Sequence, residues 1–335
     1  MNKNPLSLQL DPDMFKPVPK EERVQLVTMR PSTTYWQDAS RRLRRNKVAM
    51  ISIFVILAVF AFAFLGPYIM KATTGYTYEE QIREDVDQPP SMRHWMGTEG
   101  LGRDLMVRVM VGTRISLLVG LIATFIILII GTLYGAMAGL AGGWVDNIMM
   151  RFVEILYSVP DILIVILLSV TLKDPLTLMF ESGGVLRGLA GVGPGLISIF
   201  ITFALLYWVG MARMVRGQVL QIKEQEFVTA ARALGASNRR IILRHLIPNS
   251  IGPIIVTATF QIPAAIFVES FLSFIGLGVS APMASLGSLA SDAMNGVYSY
   301  PYRLLFPSLI IALIILAFNQ LGDGLRDALD PKMKK

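Results

Sequence analysis

Cysteine is absent from this chain of 335 residues, and histidine is scarce. The absence of cysteine excludes disulfides and thiolate metal ligands. The two histidines, His94 and His245, fall in different loops of the sequence. Because a protein metal site usually needs three or four ligands, we predict no metal site.

Motifs for catalysis and nucleotide binding are also missing. The sequence has no H-E-x-x-H pair and no Ser/His/Asp or Cys/His set that converges in sequence, so a membrane enzyme has no support. No G-x-x-x-x-G-K-S/T phosphate loop occurs. The glycine-rich stretch 188–195 lacks the lysine, and we assign it to a turn before a span. We therefore predict no catalytic residues and no cofactor bound by this chain.

Charge is scarce as well. Only 16% of the residues are charged and 53% are hydrophobic, whereas soluble domains carry about 25% charged residues. Three long runs contain no charge at all, namely 115–145, 246–268 and 304–322. A helix needs about 20 apolar residues to cross a bilayer, whereas barrel strands would be short and alternating. The composition predicts an all-α, polytopic membrane protein.

The apolar runs predict six transmembrane helices, at about 48–69, 115–138, 150–172, 192–213, 249–270 and 304–322. If the first polar segment is inside, the inner segments hold 22 of the 31 Lys and Arg residues. The positive-inside rule then places both termini in the cytoplasm. The same distribution argues against a nucleic-acid partner, in spite of the net charge of +7.

These spans divide the chain into four parts. Residues 1–47 form a polar cytoplasmic tail that lacks the apolar segment of a cleavable signal peptide. Residues 48–114 contain the first transmembrane helix and a long extracytoplasmic loop. Residues 115–325 form the core transmembrane domain, and 326–335 form a cytoplasmic tail. Within the core, the uncharged stretch 271–291 predicts a membrane-associated or re-entrant outer segment that is buried against protein.

A basic, alanine-rich segment, residues 226–248, separates the fourth and fifth predicted spans; we call it the basic loop. Its sequence is EFVTAARALGASNRRIILRHLIP. Four of its apolar residues share one helical face: Phe227, Ala230, Ala231 and Leu234. Gly235 then occupies a helix-ending position, since glycine tolerates positive φ. Ser237 can cap a second helix, and Pro248 fits the first turn of the next span.

Two interpretations of the basic loop remain open at this point. Its arginines, including Arg239 and Arg240, satisfy the positive-inside rule by themselves. Alternatively, the loop is a docking surface for a protein outside the membrane. The small alanines would let another backbone approach closely, and the arginines would meet acidic groups or lipid phosphates.

The basic loop resembles the EAA loop of bacterial ABC importer permeases, in which a Glu-Ala-Ala motif precedes a glycine, an apolar stretch and a proline. Here the motif is represented by Glu226, the pair Ala230 and Ala231, and Gly235, with the glutamate displaced from the literal motif. Four more segments, 41–50, 97–117, 271–282 and 321–331, resemble other parts of the peptide/nickel branch. The resemblance covers about residues 36–331 and is closest to the second, C-type permease of dipeptide and oligopeptide importers.

This resemblance implies an ABC importer type I permease fold in the bacterial cytoplasmic membrane. It implies a coupling loop at about 216–250, whose residues seat in a groove of an ATPase. The implied coupling residues are Glu226, Phe227, Ala230, Ala231, Leu234, Gly235, Arg239 and Arg240. The implied partners are a homologous B-type permease, two cytoplasmic ATPases that bind ATP and Mg, and an extracytoplasmic peptide-binding protein. The implied substrate is an oligopeptide or a dipeptide.

Alternatives remain for the function and for two acidic residues. The chain could be a stand-alone secondary transporter driven by an ion gradient, or a nickel or metal-chelate importer permease of the same family. Asp161 and Glu269 are possible membrane-embedded polar sites, because an ionisable group among apolar spans is costly. Asp161 follows Pro160 and could instead cap a helix end. Glu269 could contact the partner permease or a peptide amine, or could serve only in packing.

Overall fold

The computed structural model describes residues 34–181, 193–279 and 283–330. The predictions for residues 1–33, for most of the glycine-rich stretch 188–195 and for residues 331–335 lie outside these ranges. In the described ranges the regular secondary structure is helical, apart from one isolated bridge between Thr98 and Asp104. Six helices are long and apolar enough to cross a membrane, which confirms the predicted fold class.

We number the helices in chain order. They are α1 (Tyr35–Arg45), α2 (Lys47–Phe64), α3 (Gly66–Thr74), α4 (Leu105–Ala141), α5 (Gly143–Ser158), α6 (Asp161–Glu181), α7 (Pro194–Ile222), α8 (Glu226–Ala233), α9 (Asn238–Ile241), α10 (Ile251–Phe274), α11 (Leu286–Met294) and α12 (Tyr302–Leu329). Helix α7 contains a π-helical turn at Phe203–Tyr207. Helix α9 continues through a π turn at Ile242–Leu246 into a last helical turn, Ile247–Asn249. The six candidate spans are α2, α4, α6, α7, α10 and α12.

Helix α4 lies at the centre of the bundle, where it packs against α2, α7 and α10. It is apolar on all sides, and a helix of that kind is stable only when it is surrounded by protein or lipid. Its residues Ala123 and Ile127 are fully buried in an apolar cluster shared with α7 and α10. A second cluster joins α4 to α2 and α12 through Val59 and Ile314. The two clusters together hold five of the spans around α4.

Helices α4 and α7 pack extensively against each other, and glycines in α4 allow their backbones to approach closely. Gly131, Gly135 and Gly139 recur every fourth residue and so lie on one face of α4. A Cβ at Gly135 would overlap the carbonyl oxygen of Ala212, and one at Gly139 would lie 2.8 Å from Val219 Cγ1. Small residues let membrane helices approach to van der Waals contact, which is the main attraction available between helices in lipid. We call this contact the glycine seam.

The third span begins later than predicted. The apolar pattern predicts one helix over 150–172, but the structure ends α5 at Ser158 and begins α6 at Asp161. Val159 is extended, with φ −96° and ψ 137°. A residue before proline is pushed out of the helical region by the proline ring, and Pro160 itself has no amide hydrogen to donate. The predicted start at 150 is therefore wrong. The segments on both sides of Pro160 are apolar, so hydropathy does not reveal that the helix ends there.

The second span is predicted to begin at about 115, after an amphipathic helix over 97–116 that leads into it, and the structure has one continuous helix from Leu105. Helix α4 starts at Leu105 because the Asp104 side chain accepts a hydrogen bond from the Val107 amide, at 3.0 Å, as an N-cap. The preceding loop, 75–104, is attached to the start of α12. The Tyr302 hydroxyl donates to the carbonyl oxygens of Gln88 at 2.9 Å and Thr98 at 3.1 Å. This loop covers one end of the bundle.

The uncharged stretch 271–291 lies at the same end as loop 75–104. Helix α10 continues into it as far as Phe274, and the chain then turns at Gly276, whose φ is +83°. Helix α11 has nine residues, too few for the roughly 20 that cross a bilayer. Leu286 and Leu289 are buried against α4 and its neighbours. The described part of this stretch is thus packed against protein, as predicted, and is not a seventh span.

The described ends of the chain meet at the other end of the bundle, beside the basic loop. The Tyr35 hydroxyl donates to the carbonyl oxygen of Leu329 at 2.9 Å, and Arg42 donates to that of Asp330 at 3.3 Å. Tyr35 also lies against Gly252, just after the basic loop. Both described ends therefore lie on one side of the bundle, as an even number of spans requires.

Candidate functional site

The basic loop forms two short helices joined by a sharp bend. Helix α8 ends at Ala233, and Gly235 adopts the left-handed conformation, with φ +80°. The amide of Gly235 donates to the Arg232 carbonyl at 2.9 Å, and the amide of Ala236 donates to the Ala231 carbonyl at 3.0 Å. These two bonds form a Schellman motif, which needs a residue that tolerates positive φ at the position of Gly235. The predicted bend at Gly235 is present.

Ser237 begins the second helix of the basic loop, as predicted. Its hydroxyl accepts a hydrogen bond from the Arg240 amide at 3.3 Å. The return to the membrane differs from the prediction, because Pro248 lies in the separate turn Ile247–Asn249. The turn ends at Ser250, and α10 starts only at Ile251.

The two faces of α8 have opposite environments. Val228 is 1% exposed and belongs to the central apolar cluster, together with Ile241 and Leu246 of the loop's second half. The predicted face points away from the protein: Phe227 is 42% exposed and Leu234 is 90% exposed. The side of the basic loop that faces away from the protein thus carries two large, exposed apolar side chains.

The other predicted residues of the basic loop surround this apolar face. Glu226 lies in the first turn of α8, where the positive end of the helix dipole favours a carboxylate. Ala230 is exposed and Ala231 is half-buried, so no large side chain separates them from an incoming backbone. Arg239 and Arg240 are exposed at the start of α9. The structure therefore brings all eight predicted coupling residues to one end of the bundle.

An ion pair near the basic loop was not anticipated from the sequence. Arg216, at the end of α7, donates from Nε and Nη2 to the two carboxylate oxygens of Asp146, each at 2.6 Å. Asp146 is buried in the first turn of α5. A two-pronged pair of this kind fixes geometry as well as charge. Helix α7 is thus held by the glycine seam and by this pair just before it enters the basic loop.

Glu269 lies far from the basic loop and has no exposed surface. Its carboxylate accepts hydrogen bonds from the hydroxyls of Ser116 at 2.8 Å, Ser273 at 2.8 Å and Ser270 at 3.4 Å. The Ser273 hydroxyl in turn accepts from the Val279 amide at 3.1 Å. Buried charges persist when such donors replace water. In this arrangement Glu269 joins α4, α10 and the following turn, and its side chain is enclosed by protein.

Asp161 lies at a third place, the start of α6. One carboxylate oxygen accepts from the Ile162 amide at 2.9 Å, and the other accepts from the Tyr207 hydroxyl at 3.4 Å. The side chain is exposed on the surface of this single chain. Asp161 therefore binds the amide of the next residue at its own helix start and also faces the π-helical turn of α7.

Sequence reasoning missed the structural supports of this site. The glycine seam had a signal in the sequence, since the spacing G-x-x-x-G-x-x-x-G at 131–139 is typical of closely packed membrane helices. The contact between Ser116 and Glu269 had none, because Ser116 is more than 150 positions away, whereas Ser270 and Ser273 are close to Glu269 in the sequence. The Arg216–Asp146 pair likewise spans 70 positions.

Comparisons with known proteins agree with this geometry. Residues 131–335 match the family described as binding-protein-dependent transport system inner membrane component. Residues 34–90 match the N-terminal transmembrane domain of oligopeptide transport permease C.

Individual relatives align over almost the whole chain. The dipeptide transport system permease protein DppC of Bacillus subtilis is 47% identical over 307 residues, which are 91% of this chain and 88% of that protein. The oligopeptide transport system permease protein OppC of Bacillus subtilis is 42% identical over 323 residues, 96% and 98% of the two chains. The glutathione transport system permease protein GsiD of Pectobacterium atrosepticum is 36% identical over 302 residues, 90% and 92% of the two chains.

Proposed function

Because this chain belongs to the binding-protein-dependent transport system inner membrane components, and among them to the C-type permeases of peptide ABC importers, we propose that it forms one half of the path by which peptides cross the membrane. The other half comes from a homologous B-type permease. An extracytoplasmic binding protein delivers the peptide, and two cytoplasmic ATPases bind ATP and Mg and drive transport.

The exposed apolar face of α8 is the observation that supports this proposal best. Phe227 and Leu234 are held in solvent by a helix whose opposite side is anchored through Val228. We assign this face, flanked by Glu226, Arg239 and Arg240, to the groove of one ATPase. The alternative in which the arginines only orient the loop would leave Leu234 in water without a function.

The route from the ATPase to the spans follows from the same contacts. Helix α8 follows α7 after three residues, and the glycine seam and Arg216–Asp146 hold α7 against α4 and α5. When the ATPases close on ATP, α8 moves with them, and these close contacts move α7 as a rigid body. This is a hinge or shear transition of packed helices.

The orientation in the membrane follows from the partners. Since ATP is cytoplasmic, we propose that the basic loop and both termini lie in the cytoplasm of a bacterial cell. Loop 75–104 and α11 then face the binding protein. The relatives named above transport dipeptide, oligopeptide and glutathione, which favours a peptide over a nickel complex, and an ion-gradient transporter is not favoured.

Uptake by the reconstituted importer tests the proposal. The chain is purified with its partner permease and ATPases and placed in vesicles with ATP inside and loaded binding protein outside. We expect peptide uptake that requires ATP and all the subunits. Uptake by this chain alone, driven by a proton gradient, would refute the proposal.

A matched pair of variants tests the docking surface. Leu234→Gln places an amide at the exposed apolar residue that ends α8, and Thr229→Gln places the same amide at an exposed position of α8 that is outside the predicted face. Removing one large apolar anchor costs about 2 kcal/mol at an interface centre, or roughly a 30-fold loss of affinity. We expect Leu234→Gln to lower ATPase co-purification and Thr229→Gln to leave it unchanged. Equal binding by both variants would exclude this face as the docking surface.

A further inference from the structure

A cavity of about 430 Å³ opens where α5 ends and α6 begins, away from the basic loop. The extended residues Val159 and Pro160 form one wall, and Tyr207 and Gly210 of α7 form another. Tyr207 closes the π-helical turn Phe203–Tyr207. A π turn widens a helix locally, and such turns occur frequently at functional sites. Two breaks in regular helix structure therefore meet at one cavity.

One face of α7 connects this cavity to the basic loop. Five residues follow each other at intervals of three or four and so share that face: Tyr207, Gly210, Met214, Gln218 and Gln221. The first two line the cavity, and the last three line a second cavity of about 880 Å³ that reaches Pro248 and Asn249. The glycine seam uses a different face of α7, and on this face Gly210 and Gln221 are exposed while Tyr207 and Met214 are half-buried against the central apolar cluster.

Asp161 supplies the charge of the first cavity, which it also lines. A carboxylate offers about four acceptor positions, and only two hydrogen bonds to Asp161 are present, from Ile162 and Tyr207. Within the described ranges, no Lys or Arg forms an ion pair with Asp161. A carboxylate at the start of an apolar span gains most from a partner that brings positive charge.

The remaining walls also suit a cation. The rings of Tyr157 and Tyr207 face the cavity, and aromatic faces attract ammonium groups. The guanidinium of Arg213 stacks on the Tyr157 ring, 4.1 Å from its centre. Arg213 thereby places a positive charge next to one of the residues that line the cavity. The cavity thus combines a carboxylate and two aromatic side chains with a neighbouring guanidinium.

We propose that this cavity is a subsite for a protonated amine, the N-terminal ammonium of the peptide in transit, with Asp161 as its counter-ion and Tyr207 as its aromatic wall. The proposal rests on the proposed function. The ammonium donates to the two open acceptor positions of Asp161. The peptide chain then extends along the face of α7 that connects the two cavities, where Gln218 and Gln221 can pair with peptide groups of any sequence.

Asp161→Asn tests the charge. Asparagine caps a helix start as well as aspartate does, so α6 is retained while the charge is lost. Uptake is measured with the complete importer and two preloaded tripeptides, one with a free amine and one N-acetylated. We expect the variant to lose about tenfold in uptake of the free-amine peptide, the value of one charge-assisted hydrogen bond, and to leave N-acetyl-peptide uptake unchanged. Asp161→Glu keeps the negative charge, so we expect it to recover part of the lost uptake of the free-amine peptide.

Two positions test whether the cavity lies on the path. A Cβ at Gly210 would meet no atom within 4 Å, so this position of the cavity wall accepts a side chain. Ala58 is an exposed residue of α2 that does not line the cavity. We expect Gly210→Leu to lower uptake of both peptides and Ala58→Leu to leave it unchanged. Equal losses would show that a leucine side chain in any span lowers uptake and would overturn the proposal.

The outcomes separate the two proposals. If the wild-type importer transports no peptide, both the proposed function and the amine subsite are refuted. If wild-type uptake is normal and Asp161→Asn affects both peptides equally, or neither, only the amine subsite is refuted. Copurification of all subunits with each variant establishes that an altered rate is not a failure of assembly.

Discussion

The glycine seam predicts that one methyl group on α4 disturbs the transporter. In Gly135→Ala the new Cβ would overlap the Ala212 carbonyl oxygen and lie 3.0 Å from the Ala212 Cα. Carbon atoms settle at about 3.5–4.0 Å, so α4 and α7 must separate by roughly 0.5–1 Å. Overpacking of this kind costs about 1–3 kcal/mol. The helix itself gains about 0.5–1 kcal/mol from losing a glycine, so we expect a net destabilisation of up to about 2.5 kcal/mol.

Gly217→Ala is the matched control for this prediction. It makes the same replacement in the partner helix, at a position where a Cβ meets nothing within 4 Å. We expect it to raise the free energy of unfolding by about 0.5–1 kcal/mol, because alanine is more stable than glycine inside a helix. Thermal unfolding of the purified importer compares the two. If Gly135→Ala proves as stable as Gly217→Ala, then α4 and α7 are not in close contact. The proposal that α8 moves α7 together with α4 as a rigid body would then be refuted.

Three further variants address the buried carboxylate of Glu269 and the bend of the basic loop. Glu269→Ala leaves the hydroxyls of Ser116 and Ser273 without their acceptor, and we expect about 2–4 kcal/mol of destabilisation in thermal unfolding. Glu269→Gln keeps one acceptor oxygen and should lose clearly less, so equal losses would contradict the hydrogen-bonding role. Gly235→Ala places a side chain at φ +80°, which costs about 1–2 kcal/mol. Since the loop is exposed there, we expect normal assembly of the spans but weaker ATPase co-purification, and unchanged binding would show that the bend is dispensable.

Most of the architecture could be predicted from the sequence because lipid imposes simple rules. Uncharged runs such as 115–145 must cross the bilayer as helices, since no other open structure satisfies the backbone there. The local structure of the basic loop could also be predicted from the sequence. Its helix, its bend at Gly235 and the cap at Ser237 each depend on neighbours within a few residues.

The errors arose where hydropathy carries no information. The break at Pro160 lies between two apolar segments, so the predicted third span over 150–172 joined α5 to α6. Hydropathy measures the affinity of a segment for lipid, whereas a proline break depends on backbone geometry. The start of α4 at Leu105 was likewise set by a local cap at Asp104.

The two acidic residues show why the features of the candidate sites depend on the tertiary structure. In sequence, Asp161 and Glu269 are alike, each a single carboxylate beside an apolar run. The structure surrounds Glu269 with serine hydroxyls and leaves Asp161 on an open cavity beside Tyr207. Which donors reach a carboxylate depends on segments far away in the chain.

The sequence by itself determined that this chain is a six-span membrane protein with a basic loop of two short helices, because these properties depend on local composition, short-range hydrogen bonds and the length of apolar runs. Only the tertiary structure decided that Phe227 and Leu234 face solvent, that glycines bring α4 and α7 into close contact, and that Glu269 is enclosed by serine hydroxyls whereas Asp161 lines a cavity. Those facts depend on which helix faces pack together, and packing joins residues that no local pattern relates.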